Sequence, residues 1–336
     1  MFKFLLRTAS FSLCLSGLIP SGSALAEQPV FSLGDKTYTD ESFSDGLRQA
    51  LYELRQEHYE RLEHLAGAML LELHLNEEAA RQKTTREALE ATLFAPETPT
   101  EEAMKAFYEQ QKGMINQPYE AIKNQLKPFM MQRGIDLKRQ AMIEKIKQEK
   151  SFQLAMAEPQ APTVDIRTEG FPFLGARDAK VELIVFADYQ CPHCKQEMAR
   201  LRPLMEKYGD RVKLVYRDFP INRSGISTTV AHGAECASQQ GKFWEYNALA
   251  FELQSGLNAD SPKDFAEVLE LDGAAFEDCM KQDRTVERVA ASKQEAEALQ
   301  ISSTPTLYVN GRLSRHDHEN PDALEDAIKR LLNGKS

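Results

Sequence analysis

The sequence predicts two unlike regions, a mainly α-helical amino-terminal domain followed by an α/β domain built on a strand–helix–strand unit. Three observations carry this. Between about Asp40 and Phe152 the chain has almost no β-branched runs and few glycines, and is dominated by Glu, Lys, Gln, Leu, Ala and Met, which are helix formers. From Ala155 to Gly170, Pro159 and Pro162 sit among small and polar residues, as in a linker or domain entry. Beyond it, Val181 to Asp188 reads as a strand, Met198 to Tyr208 as a helix and Val212 to Tyr216 as a second strand.

The elements can be justified in order. Lys3 and Arg7, the mostly apolar run Thr8 to Ile19 and the small-x-small triplet Ala24-Leu25-Ala26 read as a secretory signal peptide over residues 1–26, cleaved after Ala26. Cys14 lies inside that run with no small residue just before it, so a lipoprotein anchor is not expected and the cysteine leaves with the peptide. Val30 to Thr39 is a strand-turn-strand candidate around Gly34-Asp35. Leu47, Leu51, Leu54, His58, Leu62, Leu65 and Met69 step by threes and fours along one helix face. Thr85 suits the cap of a helix over Arg86 to Leu93, and Thr100 with Glu101 and Glu102 suits another helix start. Pro118 fits the first turn of a helix that Pro128 is expected to bend or break before the basic stretch to Lys150. In the second region, helices are expected from Ile226 to about Leu253 and onward to Leu299, then a strand over Thr306 to Asn310 with an Asn-Gly turn, and a closing helix over Asp322 to Leu332. The expected division is residues 27–155 as a helical domain, 156–170 as linker and 171–336 as the α/β domain.

Composition narrows the function. The 41 Lys+Arg against 51 Asp+Glu give a net charge of −10, which argues against a nucleic-acid partner held by bulk electrostatics. Once the leader is removed, no apolar stretch approaches the ~20 residues a membrane helix needs. Four cysteines then remain, Cys191, Cys194, Cys236 and Cys279, an even number suited to an oxidising compartment. The expected location is the periplasm.

The chemistry centres on Cys191-Pro192-His193-Cys194, at a strand-to-helix junction. A thiol there faces unpaired backbone N–H groups and the positive end of the helix dipole, so its thiolate is favoured. Two intervening residues bring the second sulfur beneath the first, leaving Cys191 exposed and Cys194 shielded. Stabilising the Cys191 thiolate stabilises the reduced protein and makes its disulfide readily transferable. His193 strengthens this if its ring donates toward the sulfur, and Pro192 removes a competing donor. The competing readings are an inert disulfide and half of a zinc site; zinc would need two further ligands, and Cys236 and Cys279 form no second CxxC. Neither a metal nor a cofactor is expected.

Leu174-Gly175, Val181 to Cys194, Ala231 to Phe251, Phe276 to Met280 and Thr304 to Gly311 resemble the DsbA family of thiol:disulfide interchange proteins, over about residues 165–333. The resemblance is to the branch with a second disulfide, through Ala234-Glu235-Cys236-Ala237, Gly241-Lys242-Phe243-Trp244-Glu245 and Phe276-Glu277-Asp278-Cys279-Met280. It implies a thioredoxin-like fold with an inserted helical subdomain, Cys191 as the reactive cysteine and Cys194 as its partner. It also implies Pro305 as a cis-proline facing the active sulfur, with Thr304 offering backbone to an extended substrate. Cys236 and Cys279 then fit a structural disulfide between two insertion helices, a second redox relay being the sharper alternative. Departures from the family are Val185, where a buried acid often stands six positions before the first active cysteine, with Asp188 a weak substitute for a proton relay; Ser303, where glycine commonly precedes the Thr-Pro pair; and Arg315-His316-Asp317-His318, without the usual glycine.

His58, His64 and His74 make no HExxH motif and read as helix-surface positions, and His316-x-His318 with Asp317 and Glu319 reads as a solvated turn rather than a metal site. Phe243, Trp244 and Phe251 read as core. The Leu47-to-Met69 stripe is long enough to dock on another helix, within the domain or from a second chain. The helical region loosely resembles SurA-like chaperones, and amino-terminal extensions of the ScsC group of DsbA-like proteins imply oligomerisation, so a homo-oligomer, preferably a dimer, is expected. Three functions follow: an oxidase that donates disulfides to exported proteins, an oligomeric isomerase acting on mispaired cysteines, and a redox-independent chaperone. The first two require a membrane redox partner for recycling.

Overall fold

The computed structural model describes residues 29–112, 115, 117–315 and 322–334. The expected signal peptide, Cys14 and the His316-x-His318 turn lie outside them. The described residues up to Phe43 belong to one unit, in which strands β1 (Pro29–Leu33) and β2 (Lys36–Thr39) pair as an antiparallel hairpin with Phe31 stacked on Tyr38.

The second unit begins at Ser44. Its helical part comprises α1 (Asp45–Gln82), α2 (Arg86–Leu93), α3 (Glu101–Gln111) and α4 (Tyr119–Glu149). Thr85 and Thr100 cap α2 and α3 by accepting from the backbone N–H of Ala88 and Ala103, leaving fewer orphan donors at each start. Pro128 does not break α4, which continues through it to Glu149. The proline removes a single N–H bond, and the helix is gripped on both sides of it, by Leu126 against Met104 and Tyr108 and by Ile146 against Leu71 and Leu75. The leucine stripe is not the face that α1 buries. That face is Tyr52, Gly67, Leu71, Leu75 and Ala79, while Leu47, Leu54, Leu65 and Met69 stay exposed. Close approach explains the choice: a Cβ at Gly67 would already stand 3.2 Å from Ile143, so small residues let α1 and α4 pack tightly.

The remaining chain is a mixed α/β domain. In order it contains β3 (Phe173–Gly175), β4 (Val181–Ala187), α5 (Pro192–Tyr208), β5 (Val212–Asp218), α6 (Ile226–Gln239), α7 (Phe243–Glu252), α8 (Ser261–Val268), α9 (Gly273–Met280), α10 (Asp283–Ala298), β6 (Thr306–Val309), β7 (Arg312–Leu313) and α11 (Ala323–Leu332). The sheet order is β3-β5-β4-β6-β7, with β4 and β5 parallel and the other pairs antiparallel. β4 is central and buried on both faces, which is why it reads as a continuous apolar run. Its Leu183, Val185 and Ala187 pack with α5 and the inserted helices α6–α9, and its Ile184 and Phe186 pack against Ala296, Leu299 and Tyr308 on the opposite face. Helix α1 is seated on this domain at its start. Asp45 accepts from the Asp165 N–H at 3.2 Å, and a Cβ at Gly46 would fall 2.1 Å from the Ala298 carbonyl oxygen, so glycine permits the approach.

Candidate active site

β4 ends at Ala187, and the chain turns through Asp188 and Tyr189 to deliver Cys191 as the N-cap of α5, with Pro192 in its first turn. Asp188 fixes this turn. Its buried carboxylate accepts from the backbone N–H groups of Gln190, Ile221 and Asn222 at 2.7, 2.9 and 3.0 Å and from the Ser227 hydroxyl. These four donors make Asp188 an anchor for two loops. Gln254 adds a second brace, its amide donating to the carbonyls of Tyr189 and Cys191, both at 2.8 Å. No sequence signal marks Gln254, which lies in the turn after α7.

The two active-site sulfurs are unbonded and differently placed. Cys191 is half-buried and Cys194 is fully buried, its Sγ 3.5 Å from the Asp188 N–H. The Cys191 thiol is held down at about 5. The largest cause is the hydrogen bond from the Cys194 thiol, opposed by burial and reinforced by the Thr304 side chain and by the N–H groups of Cys194 and His193. Burial, with the Cys191 sulfur alongside, pushes Cys194 far upward, so it remains a thiol. His193 contributes through its backbone: its side chain is exposed, and among the described residues its ring makes no hydrogen bond to the sulfur. Pro192 is likewise exposed at the rim.

The Thr304–Pro305 peptide bond is cis, and the Thr304 carbonyl oxygen lies 3.3 Å from Cys191 Sγ. The Thr304 hydroxyl is buried, with no hydrogen-bonding partner that meets normal geometry among the described residues, and it is the side chain turned toward the sulfurs. Cys236 on α6 and Cys279 on α9 are joined in a disulfide, both buried, on the inserted helices. Phe243 and Phe251 are buried and Trp244 packs against the same core, its indole N–H donating to the Phe173 carbonyl at 3.0 Å.

One part-buried acid has no signal in the sequence. Asp218, at the end of β5 beside Ala187, has a buried Oδ1 with no hydrogen-bond partner among the described residues, and its carboxyl is pushed up to about 8 by burial and by the neighbouring Glu235, against the opposing Arg217. Tyr189, Tyr216 and Tyr246 feel its charge. Nothing local distinguishes it from a surface aspartate; only the sheet register places it there.

A half-exposed, acidic thiol above a buried neutral one can exchange a disulfide with an incoming sulfur. Residues 167–330 match the thioredoxin family model. Among curated proteins, the Na(+)/H(+) antiporter NhaA 3 of Salinispora tropica is 34% identical over 155 residues, covering 46% of this chain and 24% of that protein. The chain thus spans about a quarter of the length of the curated relatives it matches. Among solved structures, the chain is similar to a thioredoxin-like oxidoreductase from Silicibacter pomeroyi, with 27% identity, a TM-score of 0.43 and coverage of 49% of this chain and 94% of that one. It is also similar to oxidised BdbD from Bacillus subtilis, with 22% identity, a TM-score of 0.47 and coverage of 52% and 100%. The stretch that matches the thioredoxin family model is thus the α/β part of the chain, which follows the helical amino-terminal part in sequence.

Proposed function

We propose that the protein is a DsbA-like thiol:disulfide oxidoreductase that introduces disulfides into exported proteins. The observation that carries this is the pairing of a Cys191 thiol held at about 5 with a buried Cys194 whose thiol is pushed far up. In the oxidised protein, a substrate thiolate attacks Cys191 Sγ and the Cys191–Cys194 bond breaks, with Cys194 taking up a proton. A second substrate thiolate then attacks the substrate sulfur of the mixed disulfide, and Cys191 departs as a stable thiolate. The substrate dithiol is oxidised and the protein disulfide is reduced, so a membrane redox partner must restore it. The periplasm is the compartment that fits this chemistry. The test is stoichiometric: oxidised protein should form disulfides in a reduced, unfolded substrate, and Cys191→Ala should abolish this. Transfer by the Cys191→Ala variant at the wild-type rate would refute the reading.

A second reading, an isomerase working as a homodimer, is favoured by the uncovered stripe on α1, where Leu54, Leu65 and Met69 are 65%, 64% and 65% exposed. One helical face of that length suits a second copy. Sedimentation should show a dimer that Leu65→Glu/Met69→Glu dissociates, and rescue of a scrambled-disulfide substrate by the dimer alone would favour isomerisation. Suppression of aggregation by Cys191→Ala/Cys194→Ala would instead favour a chaperone role for the helical region.

A further inference from the structure

Beside the cis-proline loop runs a groove of about 470 Å³ that the exchange of sulfurs does not itself require. Ser303, Pro305 and Tyr308 line it together with Glu53 and Glu60 of α1, Arg315, and Glu197 of α5, which is paired with Arg200 at 2.9 Å.

The two glutamates lie seven residues apart, about two helical turns or ~10 Å, on one face of α1. Each is oriented by the glutamine four residues before it, Gln49 donating to Glu53 at 3.2 Å and Gln56 to Glu60 at 3.0 Å. Arg315 binds Glu60 at 3.0 Å. Tyr308 supplies an independent observation. Its side chain is fully buried, it lines the groove, and among the described residues its hydroxyl has no hydrogen-bond partner. A buried hydroxyl without a partner is destabilising, and an arriving donor would relieve that. The Glu53 carboxylate is near enough to add to the effect of burial in holding the phenol proton on. Position is the third element. Pro305 belongs to the groove wall, and the preceding Thr304 carbonyl is 3.3 Å from Cys191 Sγ. A polypeptide joined to Cys191 therefore has the groove within reach of two or three extended residues, each spanning about 3.3 Å.

We infer that this groove is a subsite for a Lys or Arg side chain lying within a few residues of the reacting cysteine, with Glu53 as the principal counter-charge and the Tyr308 hydroxyl as a buried hydrogen-bond acceptor. The inference rests on the exchange reading of Cys191 and adds a substrate class to it. A substrate glutamate in the same place would meet three carboxylates, Glu53, Glu60 and Glu197, and be disfavoured, so α1 is a selectivity element for the α/β domain rather than an appendage.

The test separates binding from sulfur chemistry. In the full chain carrying Cys191→Ser/Cys194→Ser, dissociation constants are measured by fluorescence anisotropy for labelled peptides of one sequence, with serine in place of cysteine. Lys, Gln or Glu is placed two residues before or after that serine. The Lys peptide should bind about fivefold or more tightly than the Glu peptide at low salt, and the gap should narrow as salt rises. Glu53→Gln should remove most of the preference. Arg315→Gln, which frees Glu60 from its ion pair, should enlarge it, an opposite change that a damaged fold would not produce. Equal affinities for Lys and Glu peptides, or a preference unchanged in Glu53→Gln, overturns the subsite. Reaction of the wild-type protein with hydroxyethyl disulfide, an uncharged probe, reports on Cys191 alone. Its failure alongside a retained Lys preference would sink the exchange reading and leave the subsite standing.

Discussion

The sulfur of Cys191 stands 3.3 Å from the carbonyl oxygen of Thr304, across 113 residues of sequence. This juxtaposition joins the start of α5 to the loop before β6 and makes Thr304 a neighbour of the Cys191 sulfur. The Thr304 hydroxyl is buried and has no hydrogen-bond partner of normal geometry among the described residues, but it stands close enough to the Cys191 sulfur to contribute to holding that thiol at about 5.

Thr304→Val keeps the shape and removes that donor. The Cys191 thiol should titrate at higher pH, and its alkylation at pH 5 should slow severalfold, while folding is largely retained. The measurement is the rate of iodoacetamide modification across pH, compared with wild type. An unchanged profile would show that the Cys194 thiol and the helix N–H groups suffice without the hydroxyl.

The same thiolate links stability to pH. In the reduced protein the folded state releases the Cys191 proton at about 5, whereas the unfolded chain holds it until about 8.5. Between those limits the unfolded state binds more protons, so reduced-state stability rises with pH and the gain is lost as pH falls through 5. The oxidised protein has no such thiol. Urea unfolding of both forms should show the reduced form gaining on the oxidised form from pH 5 to pH 8.

Asp218 has the opposite sign. Its folded carboxyl holds its proton to about 8 while the unfolded one ionises near 4, so its contribution falls as pH rises between them. Asp218→Asn should match wild type in stability near pH 4 and exceed it at pH 8, by about 2 kcal/mol if the removed burden resembles that of a buried unpaired polar group. Thermal or urea unfolding at the two pH values checks it.

Cys236 and Cys279 close a loop of 43 residues between α6 and α9. Cys236→Ala/Cys279→Ala should lower stability by about 2–4 kcal/mol in the chain-entropy account and leave the Cys191 titration where it is. A shift in the Cys191 titration, or loss of disulfide transfer at intact folding, would revive the relay reading of this pair.

What the sequence disclosed follows from how local each feature is. Cys191-Pro192-His193-Cys194 was legible because four contiguous residues at a strand-to-helix junction determine their own geometry. The Thr85 and Thr100 caps were legible for the same reason. Thr304 and Pro305 became visible only through family resemblance, since no local rule brings them to a cysteine more than a hundred positions earlier. Gln254, Asp218 and the buried Arg217, which is paired with Glu295 at 2.6 Å and stacked over Phe171, were silent because only the assembled sheet and helices give them their surroundings. On α1, periodicity marked the leucine stripe, but packing selected the neighbouring face, where Gly67 and Ala79 allow closer approach.

The central claim is that Cys191 is an accessible thiolate at neutral pH. Its alkylation rate in the reduced full chain, followed from pH 3 to pH 10, tests this directly. A rate already half-maximal near pH 5 and flat above pH 7 is the predicted result; a rate still climbing through pH 8.5, as for an ordinary cysteine, would contradict it.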